Sequence, residues 1–163
     1  HFIYKIQKRK LILSLKRCIK LIGFLEFKMT VEMMYQEQIL DHYKSPRNFG
    51  KIENASVHHH EYNPLCGDEI ELFLILNDKK VVDVKFHGKG CAISQASASM
   101  LTEQIKGKSI DELKKLTKES ILEMLSIPIS PVRLKCALLS LDTLKNSILI
   151  YEKYIKNKNN NNY

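Results

Sequence analysis

The sequence predicts an α+β fold in which a small three-stranded antiparallel sheet packs against a layer of helices. Two observations predict this class. Strand-like patterns are confined to residues 56–87, whereas residues 91–156 have the apolar spacing of helices. A further helical pattern at residues 31–44 precedes the strands. Strands and helices that are segregated along the chain are typical of an α+β domain.

The first helix is predicted at residues 31–44. Apolar residues, among them Ile39 and Tyr43, recur there at close to helical spacing. Ser45 and Pro46 follow, and a proline restricts both its own backbone and that of the preceding residue. The helix should therefore end just before this pair.

Three strands are predicted next. Residues 56–62 can supply one, residues 70–76 are a continuous apolar run, and residues 81–87 alternate apolar with charged residues. The polar residues 77–80 connect the last two strands, which predicts an antiparallel hairpin. Residues 58–60 are three adjacent histidines. Their side chains would point to alternate faces of a strand, so they cannot all bind one metal ion.

The rest of the chain is predicted to be helical. One helix spans residues 91–105 and stops at Gly107. A short helix opens at Ser109, which is followed by two carboxylates, and another covers residues 118–125. The last helix spans about residues 130–156, with a leucine stripe that is typical of a core-facing surface.

The distribution of charge argues against a nucleic-acid partner. The chain has 163 residues, which suffice for one domain with a hydrophobic core. Its formal net charge is +8, but residues 1–28 hold eight Lys and Arg against one Glu. The remaining chain carries 18 basic and 17 acidic residues. The domain is therefore nearly neutral and lacks the basic footprint of a nucleic-acid-binding protein.

The sequence divides into a basic extension at residues 1–30, one domain at residues 31–156 and an Asn-rich tail at residues 157–163. The tail has the low complexity that is typical of disorder. Basic residues interrupt the apolar part of the extension, so it is a poor membrane span. We expect the extension to be upstream translation of a gene that starts at Met29, with a mitochondrial presequence as the alternative.

A cysteine follows two glycines at the predicted strand-to-helix turn. Gly88 and Gly90 are expected to adopt backbone angles that other residues avoid. Cys91 would then lie at a helix N-terminus, where the unpaired amide groups favour a thiolate. A buried cysteine at the start of a tightly packed core helix explains Cys91 alone equally well.

Two further cysteines change this balance. Cys66 lies in a predicted loop two residues before Asp68, and Cys136 lies within about two turns of a helix start. Three thiols and a carboxylate in such places are typical of a metal site. Their long spacings exclude a zinc finger or a ferredoxin-type run. Without a convincing signal peptide, the cysteines are better explained as reduced thiols than as disulfides.

Four segments resemble, in the same order, the U-type iron–sulfur cluster assembly scaffolds: the SufU and IscU proteins and the N-terminal domain of NifU. The resemblance runs from about Tyr35 to Tyr154. The segments are YQEQILDHYKSPRN at residues 35–48, NPLCGD at residues 63–68, GKGCAISQASASM at residues 88–100 and PVRLKC at residues 131–136.

The resemblance implies a SufU/IscU-like fold and a site formed by Cys66, Asp68, Cys91 and Cys136, which holds a transient 2Fe–2S cluster or Zn²⁺. It implies a scaffold rather than an enzyme, one that takes sulfur from a cysteine desulfurase and passes a cluster to apo-proteins or a downstream carrier. Asp68 would be the labile corner, because a carboxylate binds iron less softly than a thiolate does. No nucleic acid or membrane is an expected partner, and the cytoplasm is the expected location.

An alternative is a zinc-dependent sulfurtransferase, in which zinc rests on the same four residues and one cysteine takes persulfide sulfur from the desulfurase. A structural zinc domain without turnover is a third hypothesis. In the sulfur-handling roles, Cys136 and Cys91 are the predicted acceptors, since each lies near a helix start. Lys135 is predicted to lower the pKa of Cys136 if the two side chains face the same way.

The chain mixes the patterns of two branches of the family it resembles. Isc-type proteins usually carry histidine before the third cysteine, whereas SufU types carry lysine, as at Lys135. SufU proteins of Gram-positive bacteria usually insert a loop before that cysteine, and residues 107–130 are too few to hold it. The chaperone-binding LPPVK motif of Isc systems appears only as ISPVR at residues 129–133. The lysine favours the sulfurtransferase, and the missing insertion favours the scaffold.

Overall fold

The computed structural model describes residues 32–160 as a three-stranded antiparallel sheet with helices packed against it. The compact unit that begins at Glu37 contains the sheet and all the helices that follow it. The predicted α+β class is confirmed. In chain order the elements are α1 (residues 32–44), β1 (Val57–Asn63), β2 (Asp68–Asn77), β3 (Lys80–Lys89), α2 (Ala92–Ile105), α3 (Ile110–Lys114), α4 (Lys118–Leu125), a 3₁₀ turn (Pro131–Arg133) and α5 (Leu134–Asn160).

The strands lie in the order β1-β2-β3, and the predicted hairpin joins β2 to β3. Asp78 and Lys79 form its two-residue turn, and both have positive φ angles, 47° and 60°. Two left-handed residues give a turn whose twist matches that of the flanking strands. Backbone hydrogen bonds from Ile110 to Lys79 and from Gly107 to Val81 tie this end of the sheet to the segment after α2.

The core lies between the sheet and helices α2 and α5. On the sheet side it contains Ile70, Leu74 and Phe86, each with no exposed surface. Helix α2 is unusual because its buried face consists largely of serines and alanines. The Ser97 hydroxyl bonds the Ala137 carbonyl oxygen at 2.7 Å and the Ser140 hydroxyl at 2.8 Å, both on α5. Small side chains thus bring α2 and α5 into close contact.

The first motif of the sequence anchors the end of α1 on α2. The buried His42 Nδ1 lies 2.8 Å from the Ser99 hydroxyl, which also accepts the Arg47 backbone N–H at 2.8 Å. The Asn48 side-chain amide donates to the Thr102 hydroxyl at 3.1 Å. This motif therefore stabilises the fold through contacts with α2 residues that lie more than 50 positions later in the chain.

The structure refines several predicted boundaries. Gly107 has φ +83° just beyond α2, as expected for a helix stop. Ser109 forms a capping box with Glu112. Ser130 precedes a 3₁₀ turn instead of opening α5 directly, and its side chain makes no capping bond. Helix α5 continues past the predicted end at residue 156, because neither glycine nor proline interrupts it before Asn160.

The predicted extension at residues 1–30 lies outside the described residues, and so does the end of the Asn-rich tail, residues 161–163. Between residues 32 and 160, none of the helices is long and apolar enough to cross a membrane.

Candidate metal centre

Two cysteines and an aspartate converge beside the sheet. Cys66 lies in the β1–β2 connection, Asp68 is the first residue of β2, and Cys136 is in the first turn of α5. One ligand atom from each lies within 4.8 Å of the other two. The Cys66 and Cys136 sulfur atoms are 3.3 Å apart, although 70 positions separate them in the chain. The fold therefore brings together three of the four predicted ligands.

Cys91, the fourth predicted ligand, lies next to this group, but its sulfur atom is not within 4.8 Å of all three of the other ligand atoms. It is the N-cap residue of α2, as predicted, and it is half-buried. Its backbone N–H donates to Asp68 Oδ1 at 3.1 Å, and its carbonyl oxygen accepts the Ser94 hydroxyl at 3.0 Å. Asp68 is thus fixed by the start of α2, next to the Cys91 thiol.

Gly88 and Gly90 make room for this arrangement. The expectation that they adopt unusual backbone angles was wrong, since neither has a positive φ. A Cβ atom at Gly88 would lie 2.1 Å from the Glu69 carbonyl oxygen. A Cβ atom at Gly90 would lie 2.7 Å from Asp68 Cγ and 2.6 Å from Ser94 Oγ. Space, not conformation, requires glycine at both positions.

The Asp68 carboxylate is buried, with 3% of its surface exposed, and one oxygen is left over. Oδ2 accepts no hydrogen bond of normal geometry. Burial works to raise the pKa of Asp68, but the neighbouring Cys66, Cys91, Ser94 and Cys136 side chains outweigh it, and the net pKa is lowered. A buried, ionised carboxylate with a free oxygen is costly unless a cation or a donor joins it. This oxygen fits a metal ligand.

The three thiols differ in access to solvent. Cys66 is exposed, Cys91 is half-buried, and Cys136 is only 5% exposed. Burial, followed by the neighbouring Cys66 and Asp68 side chains, raises the pKa of the Cys136 thiol. Lys135 is exposed whereas Cys136 is buried, so the condition for the predicted effect of Lys135, that the two side chains face the same way, is not met. A metal must displace the Cys136 proton when it binds.

Asn63 organises the loop that carries Cys66, a role that the sequence did not reveal. Its side-chain oxygen accepts the Leu65 N–H at 3.2 Å, and its backbone oxygen accepts the Gly67 N–H at 2.9 Å. Its side-chain amide donates to Cys136 Sγ at 3.9 Å. The Asn-Pro pair at residues 63–64 predicts a turn. No pattern in the neighbouring residues predicts the contact between Asn63 and Cys136 Sγ, which lies 73 positions later.

The adjacent histidines of β1 point to alternate faces, as the strand pattern predicts. His59 bonds Glu61 at 2.9 Å, whereas His58 stacks on Phe73. Neither contact involves the cysteines.

A model of the NifU-like N-terminal domain matches residues 34–158. The chain belongs to this family. Iron-sulfur cluster assembly scaffold protein IscU 1 of Archaeoglobus fulgidus is 37% identical over 118 residues, which cover 72% of this chain and 76% of that protein. Zinc-dependent sulfurtransferase SufU of Bacillus subtilis is 38% identical over 141 residues, with 76% of this chain and 95% of the relative covered.

A solved structure supports the same fold for this member of the NifU-like family. FiSufU of Fervidobacterium islandicum AW-1, assigned to cluster assembly in the SUF system, is 37% identical and superposes with a TM-score of 0.62. The match covers 72% of this chain and 98% of that one. The predicted membership of the SufU/IscU/NifU family is confirmed.

Proposed function

We propose that the protein is an iron–sulfur cluster assembly scaffold whose cargo, a 2Fe–2S cluster, is held by Cys66, Asp68, Cys91 and Cys136. The observation that carries this proposal is the convergence of two cysteine sulfurs and a carboxylate oxygen of Asp68 within 4.8 Å of one another, where the buried Asp68 Oδ2 has no hydrogen-bond partner. Cys91 adjoins the group through its backbone bond to Asp68. Membership of the NifU-like family supports the same assignment.

The donor set suits a cargo that must be both held and released. Thiolates are soft ligands for iron–sulfur clusters, whereas a carboxylate is a harder ligand. One carboxylate among three thiolates makes a corner of the site where a cluster is bound less firmly. Asp68 is kept ionised by its surroundings, so it is ready to bind without losing a proton.

Sulfur enters, in this proposal, from a cysteine desulfurase. The sequence predicts Cys136 and Cys91 as acceptors, and that remains untested. Exposure favours Cys66 as the first acceptor, since it is the exposed thiol among the described cysteines. A partner's persulfide can reach Cys66 without any movement of the core. Cys136, at 5% exposure, can take part only in a later step.

A protein partner is supported by the apolar side chains that flank the site in sequence. Leu65, next to Cys66, is 73% exposed, and Val132, just before α5, is 86% exposed. Tyr62, at the end of β1, is also exposed. Such side chains favour docking of the desulfurase, of apo-protein acceptors or of a carrier. The cytoplasmic location stays a prediction, and a site made of thiolates needs the reducing conditions that the cytosol provides.

A zinc-dependent sulfurtransferase is the second candidate. It is favoured by the 38% identity to the Bacillus subtilis protein of that name and by Lys135. Cys66, Asp68, Cys91 and Cys136 also fit Zn²⁺, which takes four thiolate and carboxylate donors. Zinc would supply charge that keeps the thiols deprotonated. The alignment with that relative runs over 141 positions but covers only 76% of this 163-residue chain, so the relative has residues without a counterpart here.

Anaerobic reconstitution separates the two candidates. Protein of measured zinc content is incubated with iron, cysteine and desulfurase, and then with an apo-ferredoxin. A scaffold develops cysteinyl-iron charge-transfer absorption and passes iron to the acceptor. Retention of one zinc per chain, with no iron uptake but faster desulfurase turnover, would establish the sulfurtransferase instead.

A further inference from the structure

The Cys66 and Cys136 thiols form a pair with unequal access to solvent. Their sulfur atoms are 3.3 Å apart, Cys66 is exposed, and Cys136 is buried. The Cys91 sulfur does not join the close group that Cys66, Asp68 and Cys136 form. A disulfide bond measures about 2.05 Å, so the pair can close with a movement on the order of 1 Å.

We propose that this pair reduces the sulfur that the protein accepts: a persulfide carried on Cys66 is resolved by Cys136, which releases sulfide and leaves a Cys66–Cys136 disulfide. The inference rests on the proposed function, because the sulfur is delivered to Cys66 by a desulfurase. It supplies a step that the scaffold role requires. Delivered sulfur is at the sulfane level, whereas a cluster contains sulfide.

The chemistry balances within the chain. The Cys136 sulfur attacks Cys66 Sγ, the inner sulfur of the persulfide, and the bond to the terminal sulfur breaks. The terminal sulfur keeps its own proton, takes the electron pair of that bond and leaves as HS⁻, while the Cys136 proton passes to solvent. The two cysteines are oxidised to a disulfide by two electrons, and the terminal sulfur is reduced by two. This is thiol–disulfide exchange with a persulfide as the disulfide.

Geometry decides which of the two persulfide sulfurs is attacked. Displacement at sulfur proceeds with the nucleophile and the leaving group on opposite sides. The buried Cys136 approaches Cys66 Sγ from the protein interior. The Asn63 side-chain amide lies 3.9 Å from Cys136 Sγ and helps to hold it in place. A sulfur atom delivered by a partner arrives from solvent, on the other side of the exposed Cys66. Attack on the inner sulfur therefore leaves the terminal sulfur on the solvent side, where it is free to depart.

The step has a consequence for the order of events. The disulfide removes two of the four ligands, so the site cannot hold a cluster until an external dithiol reduces it. Sulfide release and cluster retention thus belong to different oxidation states of the same two cysteines.

The test uses the reduced, metal-free full chain in the presence of a chelator. The thiols are persulfidated with inorganic polysulfide, excess reagent is removed, and released sulfide is measured over time. The unmodified protein is expected to release sulfide and to end two hydrogen atoms lighter than the reduced chain, with a Cys66–Cys136 bond in its peptide map. Cys136→Ser should hold the Cys66 persulfide and release sulfide about 100-fold more slowly, since a thiol held in contact acts at a high effective concentration.

Cys18→Ser is the comparison variant, because it removes a thiol that the proposed site does not use and leaves the pair intact. It is expected to release sulfide at the rate of the unmodified protein, and that rate should not change on dilution. Equal release from Cys136→Ser, a bond that maps to Cys91, or a rate proportional to protein concentration would each overturn the proposal. Reconstitution with iron and inorganic sulfide needs no persulfide. It therefore tests the scaffold function separately from this step.

Discussion

Two clusters of buried polar side chains lie beside helices α2 and α5, and they differ in whether all their polar atoms have hydrogen-bond partners. Within the first two turns of each helix, Ser97 is fully buried and bonds both the Ala137 carbonyl oxygen and the Ser140 hydroxyl. Beside the first residues of the same helices, Asp68 of β2 is also buried but keeps one oxygen without a partner. The Cys66 and Cys136 thiols lie beside it, with their sulfur atoms 3.3 Å apart.

This difference in hydrogen bonding distinguishes a structural cluster from a candidate functional site. Buried polar groups are almost always paired, so an unpaired carboxylate oxygen beside free thiols marks a place that something else completes. The Ser97 cluster stabilises the interface, and the Asp68 cluster uses the same two helices as a frame. Changes at the first should alter stability alone, and changes at the second should alter binding.

The largest effect is expected for the thiols. Serine at Cys66, Cys91 or Cys136 should reduce cluster loading by at least about tenfold, because a hydroxyl is a poor substitute for a thiolate at neutral pH. Absorbance after anaerobic reconstitution measures the loading. Denaturant unfolding of the metal-free variants serves as the control, since a fold lost along with the cluster would point to a structural role.

The glycines that frame the site should come next. Gly88→Ala places a methyl group against the Glu69 carbonyl oxygen and should lower the free energy of unfolding by about 3 kcal/mol. Gly67→Ala is the matched variant, because its φ is +75° but nothing lies within 4 Å of the added methyl. Gly67→Ala should lower the free energy of unfolding by about 1 kcal/mol, because a residue with a side chain is strained in the left-handed conformation. Urea unfolding of both variants checks the order, and equal losses would contradict the steric account.

Ser97→Ala removes the hydroxyl that is shared between α2 and α5. It should lower the free energy of unfolding by about 1 kcal/mol, as expected when a hydrogen bond in a core is lost. Cluster loading and cluster lifetime should not change. A loss of loading in this variant would mean that the two clusters are not independent.

The smallest effect concerns acid stability. Asp68 has a lowered pKa in the folded chain, so its ionisation contributes stability above the unfolded value of about 3.9. That contribution is lost as the pH falls through the folded pKa. Asp68→Asn should therefore flatten the acid limb of a plot of unfolding free energy against pH for metal-free protein. An unchanged acid limb would show that the neighbouring thiols do not favour the carboxylate.

Much of this account could be predicted from residue patterns. The strand and helix patterns fixed the order of elements, since each is carried by local spacing, and helix α4 has the predicted bounds. The family motifs pointed to Cys66, Asp68, Cys91 and Cys136 together, and Cys66, Asp68 and Cys136 meet in space.

The remainder depends on contacts between distant segments. Gly90 is needed because Asp68, more than 20 residues earlier, packs against it. The burial of Cys136 and its contact with Asn63 follow from the way α5 docks on the sheet. Local spacing contains no information on such contacts, so the unequal access of the three thiols to solvent could not be predicted.

The most direct test of the central claim, that the unpaired carboxylate is the labile corner of the cluster site, is the lifetime of the cluster in Asp68→Ala. The decay of cluster absorbance is followed for this variant and for the unmodified protein, with and without an apo-acceptor. The variant should still assemble a cluster, lose it several-fold more slowly and transfer it more slowly, because water or an added thiol replaces a ligand that eases release. Faster decay in the variant would contradict the account, since Asp68 would then hold the cluster in place.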